Sequence, residues 1–269
     1  MRRPSSVFRW NRSSTVLLSG FFFTILLIIY VWWPLAEELL SFVDWSGPWW
    51  LYMDWLLIGL FVFMSLTIVA HADLRRDGLI VLVATIGGLV IEAWGTQTNL
   101  WFYYTSERPP LWIVPAWPIA TLSIDRVTRL LLYLSRKQAD RQRAWIVLYW
   151  FVFAGFLLIM VLFVMPTLGK TATILAFLLC VVLIATPSDH RRSLLAFAAG
   201  AALGYFLELW GTTRQCWTYY TYQTPPFFAV LAHGMAAVAF WRTGLVLTSI
   251  SRRLRMPIRA TPFPGEEGA

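Results

Sequence analysis

Charge is scarce in this chain: 13% of its 269 residues are charged and 58% are hydrophobic, a balance that argues against a water-soluble globule. Cysteine is scarcer still. Of the two, Cys180 falls in mid-span and Cys216 in a loop, so pairing them is implausible and the redox compartment stays open. There are only three histidines, and His71, His190 and His233 are too scattered to form a histidine-rich di-iron site. An Asp-rich magnesium motif, a Gly-rich phosphate loop and a Ser-His-Asp set are all missing. These absences predict neither metal nor cofactor.

Long apolar runs are abundant. A bilayer helix needs about 20 mostly apolar residues, and eight candidate spans emerge at 15–33, 49–70, 79–95, 111–134, 145–165, 171–187, 193–210 and 226–250. The net charge of +8 follows topology. With the N-terminus placed inside, sixteen of the 22 basic residues fall on inner segments, from Arg2, Arg3, Arg9 and Arg12 to Arg252, Arg253, Arg255 and Arg259. The outer loops hold Arg108, Lys170 and Arg214. This asymmetry predicts an integral membrane protein with both termini cytoplasmic, in a bacterial or archaeal plasma membrane. The basic charge orients the protein and forms no nucleic-acid patch. External labelling is then expected to reach position 100 or 216 but not 137. The first span follows a basic start but lacks a small-residue cleavage site, and it reads as a retained helix through Trp32-Trp33-Pro34.

The apolar runs contain a duplication. Shifted by 116 positions, residues 73–136 lie on 189–252 without a gap, with 22 of 64 positions identical. Ten identities fall in Glu92-x-Trp94-Gly95-Thr96-x4-Trp101-x-Tyr103-Tyr104-Thr105-x3-Pro109-Pro110 and its counterpart, Glu208-x-Trp210-Gly211-Thr212-x4-Trp217-x-Tyr219-Tyr220-Thr221-x3-Pro225-Pro226. Apolar helices resemble one another cheaply, but acids, glycines and prolines in fixed register do not. The predicted architecture is an all-α, polytopic helical bundle of two parallel four-helix repeats, 15–134 and 145–252. A cytoplasmic segment (1–14), a linker (135–144) and a loose tail (253–269) complete it.

Glu92 and Glu208 are the candidate catalytic acids. A carboxyl inside a span stays protonated, pairs with a cation or faces a wet cavity. The competing reading is interfacial, with the acid satisfied by water or a backbone N–H. The aromatics Trp94, Trp101, Tyr103 and Tyr104, with Trp210, Trp217, Tyr219 and Tyr220, are candidate substrate-binding residues; an interfacial belt is the alternative. Trp117, a further candidate substrate-binding residue, corresponds to His233, the only histidine inside a span, which is a third catalytic candidate or else a packed histidine. Arg126 and Arg242 also correspond, as binding residues or as snorkelling cations. Asp125 and Arg129 are spaced for a local ion pair. Ala116 and Ala120, matching Ala232 and Ala236, predict close helix packing.

At this unit the chain resembles membrane proteins of carotenoid biosynthesis. In lycopene cyclases of the heterodimeric and fused type, each repeat has an acid, a Trp nine residues later and a Tyr two beyond. Glu92, Trp101 and Tyr103 match that spacing, as do Glu208, Trp217 and Tyr219. Their Pro-x-Glu-Glu motif on the next helix is replaced by Pro115-Ala116-Trp117-Pro118 and Leu231-Ala232-His233-Gly234. Carotenoid 1,2-hydratases look similar too, through Glu92, Gly95 and Val114-Pro115-Ala116-Trp117, though their Phe-Gly-x-Tyr element is absent. The resemblance implies a non-redox lyase or isomerase that cyclises or hydrates a terminal double bond of a carotenoid or other isoprenoid lipid. A buried acid would protonate the alkene, and aromatic faces would hold the cation. A lipid or small-solute carrier and a non-catalytic scaffold are the alternatives. The expected partners are the bilayer and an apolar lipid substrate, with oligomeric state undetermined.

Overall fold

The computed structural model describes residues 10–255. Residues 1–9 of the N-terminal segment and 256–269 of the tail, with Arg2, Arg3, Arg9 and Arg259, lie outside the described residues. The fold is mostly helical. Among the described residues nine α-helices run in order as α1 (Arg12–Val31), α2 (Trp33–Ser41), α3 (Trp55–Val69), α4 (Leu74–Thr98), α5 (Ala116–Leu134), α6 (Gln142–Val164), α7 (Thr171–Ile184), α8 (His190–Thr213) and α9 (Phe227–Arg255). Two three-residue strands, β1 (Trp101–Tyr103) and β2 (Trp217–Tyr219), follow α4 and α8.

Among the described residues five helices, α1, α4, α6, α8 and α9, are long and apolar enough to cross a membrane. Helices α3 and α7 are shorter, at 15 and 14 residues, and α5 carries Asp125, Arg126 and Arg129 in its second half. Large apolar side chains such as Phe22, Phe23 and Phe151 stand exposed on the outside of the bundle, a surface that suits hydrocarbon rather than water.

The helix starts follow the short polar side chains. Asn11 and Ser14 form a reciprocal capping box on α1. Asp54 caps α3, and the corresponding Asp73 and Asp189 cap α4 and α8. In each case the side-chain oxygen accepts an otherwise unpartnered first-turn N–H. Helix α2 was not expected. The first apolar run breaks at Trp32, and Pro34, which cannot continue α1, sits in the first turn of the next helix.

Helices α4, α5, α8 and α9 form a closed ring, each packing on the next and α9 returning to α4. Helices α1 and α3 lie against α5, while α6 and α7 lie against α8, α9 and α4. Backbones touch where α8 meets α9: a Cβ on Gly200 would sit 2.8 Å from the carbonyl of His233. One on Gly234 would sit 2.6 Å from the carbonyl of Phe197. Small residues allow this approach, as at membrane helix crossings generally.

The loops after α4 and α8 meet in an antiparallel ribbon. Trp101 pairs with Tyr219, Phe102 with Thr218 and Tyr103 with Trp217. Positions 102 and 218 correspond under the 116-residue shift, so each loop pairs with its own counterpart about its own midpoint. Flanking bonds repeat as well: Leu100 N–H donates to the Gly95 carbonyl and Cys216 N–H to the Gly211 carbonyl, both at 2.9 Å. Both loops reach their strand through a left-handed residue, Asn99 at φ 64° and Gln215 at φ 56°. This ribbon buries Leu100 and Cys216, at 0% and 2% exposure, so neither is open to external labelling as expected. Burial and then the nearby Asp54 push the Cys216 thiol up to about 12.

At the opposite end of the ring, Arg126 is not a snorkelling cation. Its guanidinium holds the fully buried Asp77 through two bonds of 3.0 and 2.6 Å, and Nε donates to the Ala70 carbonyl at 2.9 Å. Its counterpart, Arg242, has Ser193 where the first copy has Asp77, and reaches Thr186 Oγ1 instead, at 3.3 Å. Asp125 and Arg129 do form their local ion pair.

Candidate functional site

Beneath the ribbon, between the ring and the α6 and α7 helices packed against it, lies a cavity of about 590 Å³. Glu92 and Glu208, each 3% exposed, face it from α4 and α8. The carboxylates are held by corresponding residues. Trp101 Nε1 donates to Glu92 Oε2 at 3.1 Å, and Trp217 Nε1 donates to Glu208 Oε2 at 2.9 Å. On the other oxygens the copies diverge. Trp117 Nε1 donates to Glu92 Oε1 at 3.1 Å, whereas the matching His233 Nε2 lies 3.0 Å from Glu208 Oε1. Tyr219 adds a third donor to Glu208 Oε1, at 2.8 Å.

Glycines make these contacts possible. A Cβ on Gly95 or Gly211 would collide with the ring of Trp101 or Trp217. One on Gly88 would collide with Trp117, and one on the matching Gly204 with His233. Each acid therefore has a glycine one turn before it and another three residues after it. The rings drawn into these slots are the ones that reach the carboxylates. Gly88 and Gly204 were legible as an identity under the 116-residue shift, but their purpose depends on a partner about 29 residues further along.

The two acid clusters interleave. Trp117 stacks on His233 with centroids 5.6 Å apart, Trp101 lies 5.7 Å from Tyr219, and Tyr103 lies 5.9 Å from Trp217. Burial, followed by the charge of Glu92, pushes the Tyr103 hydroxyl well above the usual phenol range. Burial and Glu208 do the same for Tyr219. Both phenols therefore stay O–H donors at any ordinary pH. Ala116, Ala120, Ala232 and Ala236 line the cavity, so these small residues open space as well as letting helices approach.

The remaining cavity wall is mostly apolar, built from α4, α5, α6, α7, α8 and α9, and among the described residues no lysine or arginine lines it. On the α4 side, Leu82, Ile86 and Val90 line the cavity while also standing exposed on the bundle surface; Leu179 of α7 does the same.

Of the expected site residues, Glu92, Trp94, Trp101, Tyr103, Trp117, Glu208, Trp217, Tyr219 and His233 come together at this cavity. The others lie elsewhere. Tyr104 donates to the Val31 carbonyl and Tyr220 to that of Phe163, anchoring the loops to α1 and α6. Trp210 Nε1 donates to Asp54 at 2.7 Å, an oxygen that Arg214 also holds at 3.0 Å. Arg126 and Arg242 are engaged away from the acids, as described. Asp77, Asp54 and Cys180 were not foreseen; Cys180 is a further cavity residue. The two aspartates carry no repeat signal, because position 193 is Ser and position 170 is Lys. Among the described residues no cluster of three or more His, Cys, Asp or Glu could hold a metal ion. Compared with known proteins, the chain matches no protein-family model, no curated protein and no solved structure.

Proposed function

We propose that this protein is a membrane-embedded, acid-catalysed enzyme that cyclises or hydrates a terminal double bond of a carotenoid or other isoprenoid lipid. The observation that carries this is the buried pair of carboxyls, each held by ring donors, at one end of an apolar cavity without lysine or arginine. The self-pairing ribbon and the matched bonds to Glu92 and Glu208 support two parallel four-helix repeats, α1, α3, α4 and α5 against α6, α7, α8 and α9. In that arrangement a pseudo-two-fold axis runs between Phe102 and Thr218, along the membrane normal. The proposed setting is a bacterial or archaeal plasma membrane with both termini cytoplasmic.

The chemistry balances without an oxidant or reductant. One carboxyl gives its proton to the terminal alkene carbon: a C–H bond forms, the π bond breaks, and the charge appears on the neighbouring carbon. The faces of Trp101, Trp117 and Trp217 and the second carboxylate steady that cation. A second double bond or a water then captures it, and the surplus proton leaves to the second carboxylate. Transfer back across the pair resets the site. The resemblance to lycopene cyclases and carotenoid hydratases points the same way.

The test is the polyene lipid profile of a knockout host carrying Glu92→Gln or Glu208→Gln. Each amide keeps the shape and one accepting oxygen, and a neutral group is cheaper to bury than a charge, so the protein should still be expressed while conversion falls about 10²–10⁴-fold, as for loss of a general acid. Restoration of the wild-type profile by the double variant would sink the proposal.

A carrier is the competing reading. A second cavity of about 240 Å³ lies beside the first, and Val83 and Phe240 line both. Carriage predicts that the same variants weaken ligand binding and leave every polyene chemically unchanged.

A further inference from the structure

The duplication has left the two acids in matching positions with unmatched partners, and that difference decides which one carries the proton. Among the described residues, the titratable groups facing the cavity are Glu92 from α4, Tyr103 from β1, Cys180 from α7, Glu208 from α8, Tyr219 from β2 and His233 from α9. Helices α5 and α6 contribute none. Of these groups only His233 can become a cation, and it sits 3.0 Å from Glu208 Oε1. Glu208 also receives Trp217 N–H and Tyr219 O–H, so it has three donors, one of which can supply the opposite charge. Glu92 has two indole N–H donors, from Trp101 and Trp117, with the Tyr103 hydroxyl beside them, and neither an indole nor a phenol becomes a cation in water. Burying one carboxylate beside an imidazolium leaves the site neutral. Burying a second beside indoles and a phenol leaves an uncompensated charge near a like charge, which is costly in an apolar cavity.

We propose that the two acids have divided their roles: Glu92 holds the transferable proton, and Glu208, kept charged by His233, steadies the cation and receives the departing proton. The assignment of Glu92 as donor rests on the enzymatic function proposed above, whereas the resting position of the proton does not. His233 acts through Glu208 and is a positioning residue, and Trp117 is its non-titrating counterpart.

Infrared spectroscopy of the purified protein, without substrate, reads this directly through the carbonyl band of a protonated carboxyl. At neutral pH the wild type should show such a band in its interior, and Glu92→Gln should abolish it; a band that survives Glu92→Gln overturns the proposal. His233→Gln keeps an N–H donor for Glu208 but removes the only cation, so a second band, roughly doubling the amplitude, should appear. An unchanged amplitude overturns it. The exchange Trp117→His with His233→Trp moves the imidazole to the other copy, and Gly88 and Gly204 offer both rings equivalent slots. In that background Glu208→Gln, instead of Glu92→Gln, should remove the band, and the reverse result counts against the proposal. Should the exchanged protein not fold, the single His233→Gln result decides. If the bands behave as described and no polyene is converted, the proton placement stands and the enzymatic function falls.

Discussion

Gly95 and Gly211 show how one missing methyl group decides where an indole goes. The rings of Trp101 and Trp217 occupy the space a Cβ would take, and each ring N–H closes onto the acid three residues before its glycine. Alanine at either position must push the ring off the carboxylate or the helix off the ribbon. Overpacking of this kind costs about 1–3 kcal/mol. Gly95→Ala and Gly211→Ala should therefore lower the thermal midpoint in detergent. Gly155→Ala on α6, where nothing lies within 4 Å of the new methyl, should leave it unchanged or raise it slightly. Equal behaviour at all three sites would show that the indoles are not held by these slots. At this scale the acid and its Trp nine residues later were legible, because spacing kept in both copies singled them out. The third ligand, Trp117 or His233, was legible only as a difference between copies; its role depends on how α5 and α9 return beside the helix that bears the acid.

Between elements, the ion pair of Asp77 and Arg126 ties the start of α4 to the second half of α5, and it has no equivalent between α8 and α9. Arg126 is 6% exposed and Asp77 fully buried, and Arg126 also holds Asp125 at 3.0 Å, so it is removal of the arginine that leaves an unpaired charge, Asp77, inside the bundle. Arg126→Ala should cost about 3–5 kcal/mol, and replacing both Asp77 and Arg126 with apolar residues of similar size should recover most of it. Arg242→Ala should be close to neutral, since that guanidinium makes one long bond to Thr186 at 3.3 Å. Chemical denaturation in mild detergent would measure all three. Comparable losses at Arg126 and Arg242 would mean that the pair contributes nothing specific. The apolar runs revealed every helix but α2, with ends within about six residues of those observed. The sequence did not reveal Asp77 as a buried partner. It sits within a charged first turn, Arg75-Arg76-Asp77, where a solvated cluster reads the same. The break at Trp32 and the ribbon at Trp101–Tyr103 were hidden for a related reason, because each depends on a distant segment or on a turn shorter than any periodicity.

For the whole molecule the open quantity is orientation, and the ribbon changes how it must be measured. The orientation proposed from the distribution of arginine and lysine has both termini inside, the ribbon outside and the 135–144 linker inside. The positions that seemed natural reporters of the outer face, Leu100 and Cys216, are sealed beneath the strands. A failure to label them would therefore carry no topological meaning. Tyr222, 77% exposed, and Glu107, exposed on the first loop, are the better sites on that face. Lys137, also exposed, reports the linker. In a background of Cys180→Ser and Cys216→Ser, single cysteines at 107 and 222 should react with a membrane-impermeant maleimide in intact cells, and a cysteine at 137 only after permeabilisation. Because the two copies are expected to run parallel, 107 and 222 must behave alike whichever way the bundle faces. If one of them labels and the other does not, the parallel arrangement fails. If both stay silent while 137 reacts in intact cells, the arrangement survives but is inverted, and the acids open toward the other side of the membrane.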